Sequence, residues 1–277
     1  MNQNPLISII TVCYNSEKYI DDAFSSILNQ TYSKFEYILI DGSSTDGTVS
    51  KAKAFKKVLK QEFTIVSEKD QGIYDAMNKG IKLAKGDLIC ILNSDDFFVP
   101  ESLQRYVDCF RSNNCADNLI IVGDANRVDN KGEIRYLRKN NLSILQQQIE
   151  FTMPLVHPAF CVHRHVYGEL VGLFDVTVKL IADYDFTYKA YKSGKVVFAF
   201  ANAVTVNMRE GGVSDVFDLG LIWDRAAARF TVRKHHQNAA KNFLLCSRFY
   251  LEEVVRQFLK KYFRKTRLLK TNRKHDT

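Results

Sequence analysis

The sequence predicts an α/β fold with a mostly parallel central sheet, helices on both faces and a helical C-terminal extension. Three observations carry that expectation. Short apolar runs alternate with segments of helical period through the first 100 residues, an order that implies right-handed βαβ crossovers. Most of these runs give way to a polar turn that carries a carboxylate. Apolar residues make up 46% of 277 and prolines number four, so the chain is globular and long enough to bury a large core.

The elements follow in order. Ile7 to Val12 is a β-branched run suited to a buried strand, and SEKYIDDAFSSILNQ spaces Tyr19, Ala23 and Ile27 along one helical face. FEYILI, Phe35 to Ile40, is the next strand, closed by the turn DGSSTDGT, from which a helix starts. FTIVSE supplies a third strand, GIYDAMNKGIKLA a helix ending at Gly86, and DLICIL, Asp87 to Leu92, a fourth strand. Past residue 100 the pattern is less regular. NLIIVGDANRVDNKGEIRYL fits two strands around a turn at Asp129 to Gly132. MPLVHPAFCVHRHVY is apolar with three histidines, a later helix stops at Gly194, VVFAFANAVTV is strand-like, and MREGGVSD is a Gly-rich loop.

In a parallel sheet, ligands bind beyond the carboxyl ends of the strands. Asp41 directly follows the second strand, Asp70 closely follows the third, and Asp95 with Asp96 follows the fourth. Like charges about 4 Å apart repel by roughly 4 kcal/mol at an effective dielectric near 20. Asp95 and Asp96 therefore require a divalent cation, a basic partner or a wet turn. Singly, each carboxylate could be a cap or turn residue, and Asp46 is read that way. Together the four read as a site for a metal and a polar ligand.

Charge divides the chain. Residues 225–277 carry 15 Lys and Arg against 3 Asp and Glu, and the remainder carries 24 against 28. A body of that sign excludes a general nucleic-acid binder and leaves the basic tail to be explained separately. The six cysteines are scattered without a CxxC pair, which suits core thiols in a reducing compartment. The N-terminus lacks the pattern of a signal peptide, and no apolar run is long enough to span a bilayer. The expected location is cytoplasmic.

The stretches ISIITVCYNSEKYI, ILIDGSSTDGT, GIYDAMNKGIKLAKGDLICILNSDD and LIADYDF together resemble the family 2 inverting glycosyltransferases of GT-A fold, most closely the branch that builds bacterial surface polysaccharides. The resemblance covers roughly residues 5–215. It implies a catalytic domain over residues 1–215, with a nucleotide-sugar half (1–100) and an acceptor half (101–215), followed by an extension over 216–277. It implies that Asp41 holds the uracil or ribose end of the donor, that Thr11, Tyr14 and Asn15 line the pocket, and that Asp70 helps bind the base. Asn78 and Lys79 join the nucleotide-sugar contacts, Asp95 lies near the ribose, and Asp96 ligates Mg²⁺ or Mn²⁺ at the diphosphate. Asp183 matches the catalytic base. His157 and Arg209 are candidate diphosphate or acceptor contacts, the latter on a lid with Gly211 and Gly212. Two departures stand out. The Ala-Arg-Asn triplet of many relatives is Ala76, Met77 and Asn78 here, and Ala182 replaces the Glu that usually precedes the base, with Asp185 only two residues beyond it.

In the tail, Leu244, Leu251, Val255, Phe258, Tyr262 and Leu269 recur at helical spacing among basic residues. Such a helix can lie on an anionic membrane surface or pack on protein. The expectation is a metal-dependent transferase of sugar from a nucleotide-sugar donor, UDP-linked, to a hydroxyl of a lipid-linked saccharide, peripheral on the inner face of the cell membrane. The alternatives are a sugar nucleotidyltransferase, disfavoured by the absence of glycine from TVCYNSEKYI, and a non-catalytic membrane-associated adaptor.

Overall fold

The computed structural model describes residues 3–211, 219–233 and 238–272. The chain divides into two compact units, Met1–Ile149 with Met153–Gly212 and Glu150–Thr152 with Val213–Thr277. The first unit is α/β. Its strands are β1 (Ile7–Cys13), β2 (Phe35–Asp41), β3 (Phe63–Ser67), β4 (Leu88–Ile91), β5 (Phe97–Phe98), β6 (Leu119–Val128), β7 (Ile134–Arg138), β8 (Phe160–His163) and β9 (Val197–Arg209). Its helices are α1 (Ile20–Leu28), α2 (Thr48–Lys56), α3 (Ile73–Leu83), α4 (Ser102–Ser112), α5 (Leu142–Gln148) and α6 (Ala182–Ser193).

Among the described residues these strands form one sheet in the order β3-β2-β1-β4-β8-β6-β9-β5, with β7 paired to β6. The stretch β3-β2-β1-β4 is parallel throughout. Every residue of β1 and β2 is buried, the mark of interior strands covered on both faces. From β4 onward the sheet becomes mixed. β8 runs antiparallel to both β4 and β6, while β6 and β9 are parallel. The turn between β6 and β7 is closed by Asp129, whose Oδ1 accepts from the N–H groups of Lys131 (2.9 Å) and Glu133 (3.0 Å).

Helices seal the parallel half. α1 buries Ile20, Ala23, Phe24 and Ile27. Phe24 stacks on Phe55 of α2 at 4.4 Å, and Tyr37 on Phe63 at 4.5 Å, joining two helices and two strands in one aromatic cluster. α3 approaches β1 so closely that a Cβ on Gly80 would lie 2.4 Å from Cγ2 of Ile10. Glycine there fixes the height of α3 above the sheet, and with it the loop that precedes the helix.

The second unit contains α7 (Leu219–Arg233) and α8 (Ala239–Asn272). Arg229 lies 3.8 Å over the ring of Phe249, and Asn242 donates to the carbonyl of Phe230 at 2.8 Å. The buried residues of this pair mix Arg225, Arg229, Arg233, Asn242 and Glu253 with Ile222, Ala226, Val232, Cys246 and Phe249, all below 9% exposure. Its exposed side carries Leu244, Leu251, Val255 and Phe258, each more than half exposed. The side chains of Tyr262 and Leu269 lie outside the described residues, as does Gly212. No helix among the described residues is long and apolar enough to cross a membrane.

Candidate active site

The loops after β1, β2, β3 and β4 leave the same edge of the sheet because those strands are parallel neighbours. Side chains tie the loops together. Ser16, after β1, shares a 2.8 Å hydrogen bond with Ser94, after β4. Asn15, held at φ 49°, donates its N–H to Ser44 Oγ at 2.8 Å and accepts from the N–H of Thr45 at 2.9 Å.

Asp41 ends β2 and is fully buried. Its carboxylate accepts from Ser44 N (3.0 Å), Ser67 Oγ (2.6 Å), Ser44 Oγ and, more weakly, Cys13 Sγ (3.6 Å). These donors tie Asp41 to the ends of β1 and β3 and to the loop after β2. Thr11 is fully buried in β1, two residues before its end.

Tyr14 and Asp70 do form a wall. A Cβ on Gly42 would lie 2.6 Å from Asp70 Oδ2 and 3.5 Å from the Tyr14 ring, so only glycine lets the two approach across the strand end. Tyr14 is 63% exposed, leaving its ring open to a planar ligand. Asp70 Oδ1 accepts from the N–H of Gly72 at 2.9 Å, which sets the start of α3. Lys79 bonds Glu68 at 2.8 Å and the carbonyl of Lys69 at 3.1 Å, steadying the same loop. The amide of Asn78 donates to the carbonyl of Phe174 at 2.8 Å and accepts from the N–H of Phe174 at 3.0 Å, clamping that backbone segment to α3.

After β4, the paired carboxylates differ. Asp96 is 2% exposed, accepting from the N–H of Arg209 (3.0 Å) and from Asn93 Nδ2 (3.1 Å). Burial first, and the charge of Asp95 second, push its pKa up to about 7. Asp95 is half-buried and also raised, by burial, with Arg209 and Arg127 opposing. Asn93 Oδ1 is buried and receives no hydrogen bond. Two under-compensated carboxylates and an orphaned oxygen within four residues fit a hard divalent cation. Among the described residues no three His, Cys, Asp or Glu side chains converge, so such an ion would complete its shell from a ligand and water. The buried carboxylate of Asp96 and the half-buried one of Asp95 are the candidate ligands of such an ion.

Arg209 is the last residue of β9 rather than part of a lid. Its guanidinium donates to the carbonyls of Asp95 (3.1 Å), Asp129 (3.2 Å) and Asn130 (3.0 Å) and to Asp22 Oδ2 (2.5 Å), and it is 4% exposed. That set of bonds locks the paired-carboxylate loop to α1 and the β6–β7 turn, and it leaves the side chain no freedom to close over a diphosphate.

Asp183 lies in the first turn of α6, whose N-cap is Ile181, so Asp183 is not the cap. Its Oδ1 accepts from the Tyr74 hydroxyl at 3.0 Å. Asp185, the neighbouring alternative, is 3% exposed and paired with Lys189 at 2.6 Å. His157 is buried, its ring 5.3 Å from Phe160 and 5.5 Å from Phe174. Burial lowers its pKa below 6.5, against the opposing pull of the Asp183 charge. Sequence reasoning missed Tyr74 and Phe174, and the only signal was an aromatic residue in the first turn of a helix that follows a carboxylate loop.

Residues 8–170 match the family described as Glycosyl transferase family 2. The chain is 28% identical over 213 residues to a PGL/p-HBAD biosynthesis glycosyltransferase of Mycobacterium bovis, covering 76% of this chain and 80% of the relative. It is 32% identical over 115 residues to TuaG of Bacillus subtilis, a protein assigned to teichuronic acid biosynthesis, covering 42% and 46%. In fold it is similar to S. aureus TarS in complex with UDP-GlcNAc (TM-score 0.61, 18% identity, 88% of this chain and 71% of that one). It is also similar to the mannosyltransferase PcManGT of Pyrobaculum calidifontis with GDP-Man and Mn²⁺ (TM-score 0.59, 18% identity, 90% and 70%). With more than half its length matched, the chain belongs to glycosyl transferase family 2 and is a glycosyltransferase.

Proposed function

We propose that the chain transfers a sugar, with inversion, from a UDP-linked donor to a hydroxyl of a lipid-linked saccharide in cell-surface polysaccharide or glycolipid assembly. The observation that carries this reading is the Tyr74–Asp183 hydrogen bond. It joins the candidate base to the first turn of α3, two residues past the Gly72 N–H that Asp70 holds, so the base belongs with the loops of the donor edge.

In this reading Tyr14 stacks the nucleobase and Asp70 accepts from it. Asp96, beside Asp95 and Asn93, would hold Mg²⁺ or Mn²⁺, which when bound would supply positive charge to the departing diphosphate. Asp183 Oδ2 takes the proton of the acceptor hydroxyl as that oxygen bonds to the anomeric carbon. The bond from that carbon to the diphosphate oxygen breaks, and its electron pair leaves with the nucleotide. General-base assistance of this kind contributes about 10² to 10⁴ in rate. The PGL/p-HBAD and teichuronic acid assignments of the relatives support a cell-surface product, and UDP-GlcNAc bound by a protein of the same fold supports the donor class.

Membrane contact rests on an exposed apolar stripe of α8. Leu244, Leu251, Val255 and Phe258 fall within about 60° of one another on the α8 wheel. With the excess of basic residues past residue 225, that stripe suits the surface of an anionic bilayer, where a lipid-linked acceptor resides. The test of the chemistry is Asp183→Asn. Turnover of the nucleotide sugar should fall about 10² to 10⁴-fold while calorimetric binding of the nucleotide persists. Unchanged turnover would remove Asp183 from the reaction.

A further inference from the structure

Asp183 presents two oxygens with different surroundings. Oδ1 receives the Tyr74 hydroxyl at 3.0 Å, and Oδ2 has no hydrogen-bond partner among the described residues. We infer that Tyr74 is a positioning residue for the base, fixing the carboxylate so that Oδ2 alone meets the acceptor hydroxyl; this rests on the reading of Asp183 as the base.

The geometry behind Tyr74 is built, not incidental. Its ring packs on Phe174 at 5.6 Å. Phe174 is 3% exposed and also touches Phe186 of α6 (5.3 Å), Tyr167 (5.9 Å) and His157 (5.5 Å). The backbone of Phe174 is fastened at both its N–H and its carbonyl by the buried amide of Asn78, one turn beyond Tyr74 on α3. Tyr74 and Asn78 thus grip the same residue from one helix, and that residue packs against the helix bearing Asp183. A carboxylate in the first turn of a helix is free to rotate about its side-chain torsions. The phenol removes that freedom, and because burial and the Asp183 charge hold the Tyr74 pKa well above 10, the phenol keeps its proton and remains a donor. The proton on Tyr74 stays there throughout: it orients Oδ1, while the acceptor's proton passes to Oδ2.

The GIYDAMNKG stretch carries two functions on two faces. Gly72 and Lys79 serve the donor loop, and Tyr74 and Asn78 serve the base through Phe174.

The test is a double-mutant cycle on the full chain with Tyr74→Phe, Asp183→Asn and the double variant, measured for kcat, donor KM and nucleotide affinity. Phenylalanine keeps the ring against Phe174 and removes only the hydroxyl. We expect kcat of Tyr74→Phe to fall about tenfold or more, the scale of one hydrogen bond to a charged group. Donor KM and nucleotide affinity should stay within about twofold, and Tyr74→Phe should cost nothing further in the Asp183→Asn background. Unchanged kcat in Tyr74→Phe, or an equal loss in both backgrounds, would overturn the positioning role. Full turnover in Asp183→Asn would overturn the base reading and the positioning role together, whereas loss in Asp183→Asn with none in Tyr74→Phe would overturn the positioning role alone.

Discussion

Carboxylates of the same type do different work in this chain, and burial with hydrogen bonding decides which. Asp41 accepts from four donors, two on Ser44 in the loop after β2 and one each on Cys13 and Ser67 at the ends of β1 and β3; Asp96 accepts from Arg209 and Asn93, and Asp185 pairs with Lys189. The sequence places all of them along the chain but does not show which way each side chain turns, because some partners are distant: Ser67 lies 26 residues from Asp41 and Arg209 lies 113 from Asp96. His157 carries a prediction of its own. Folding holds its pKa below 6.5, so the unfolded chain binds a proton that the folded chain does not. Stability is therefore complete above the unfolded value and is lost as pH falls toward the folded one. Urea unfolding between about pH 5 and 7.5 should show a midpoint that drops on acidification, with part of that drop absent in His157→Gln. An identical acid slope in both proteins would mean that His157 is not buried neutral.

At the scale of elements, legibility follows the environment of each strand. β1, β2 and β4 read directly from sequence because an interior parallel strand is apolar without interruption, and the β6–β7 hairpin reads from Asp129 and Gly132. β8 was not separable from the apolar, histidine-bearing stretch around it, since four residues show no period, and its antiparallel place between β4 and β6 is a tertiary fact. The end of β9 was read as loop because Gly211 and Gly212 follow it, yet parallel pairing with β6 carries the strand through Arg209. α3 joins the two halves of the site, and the Asn78 clamp is its structural test. Asn78→Ala leaves the buried N–H and carbonyl of Phe174 without partners, at about 1–3 kcal/mol each. A fall in denaturant stability of a few kcal/mol should accompany reduced kcat, and wild-type stability in the variant would show the clamp to be idle.

For the whole molecule, the account joins a donor edge on the parallel half of the sheet, a base on α6 and a helical unit whose exposed side is apolar. The last of these predicts co-sedimentation with vesicles containing anionic lipid, weakened by salt and by Leu251→Glu with Phe258→Glu. Equal recovery with neutral and anionic vesicles, or none with either, would contradict membrane contact. In the proposed reading the edge formed by β1 to β4 binds a nucleotide through a metal held at Asp96, beside Asp95. Calorimetric titration of UDP, GDP and their sugar conjugates into the wild type and Asp96→Ala, with and without Mn²⁺, is the direct test. Binding of the uridine ligands should require Mn²⁺ and be lost in Asp96→Ala. Binding that is indifferent to the ion and to the substitution would contradict it.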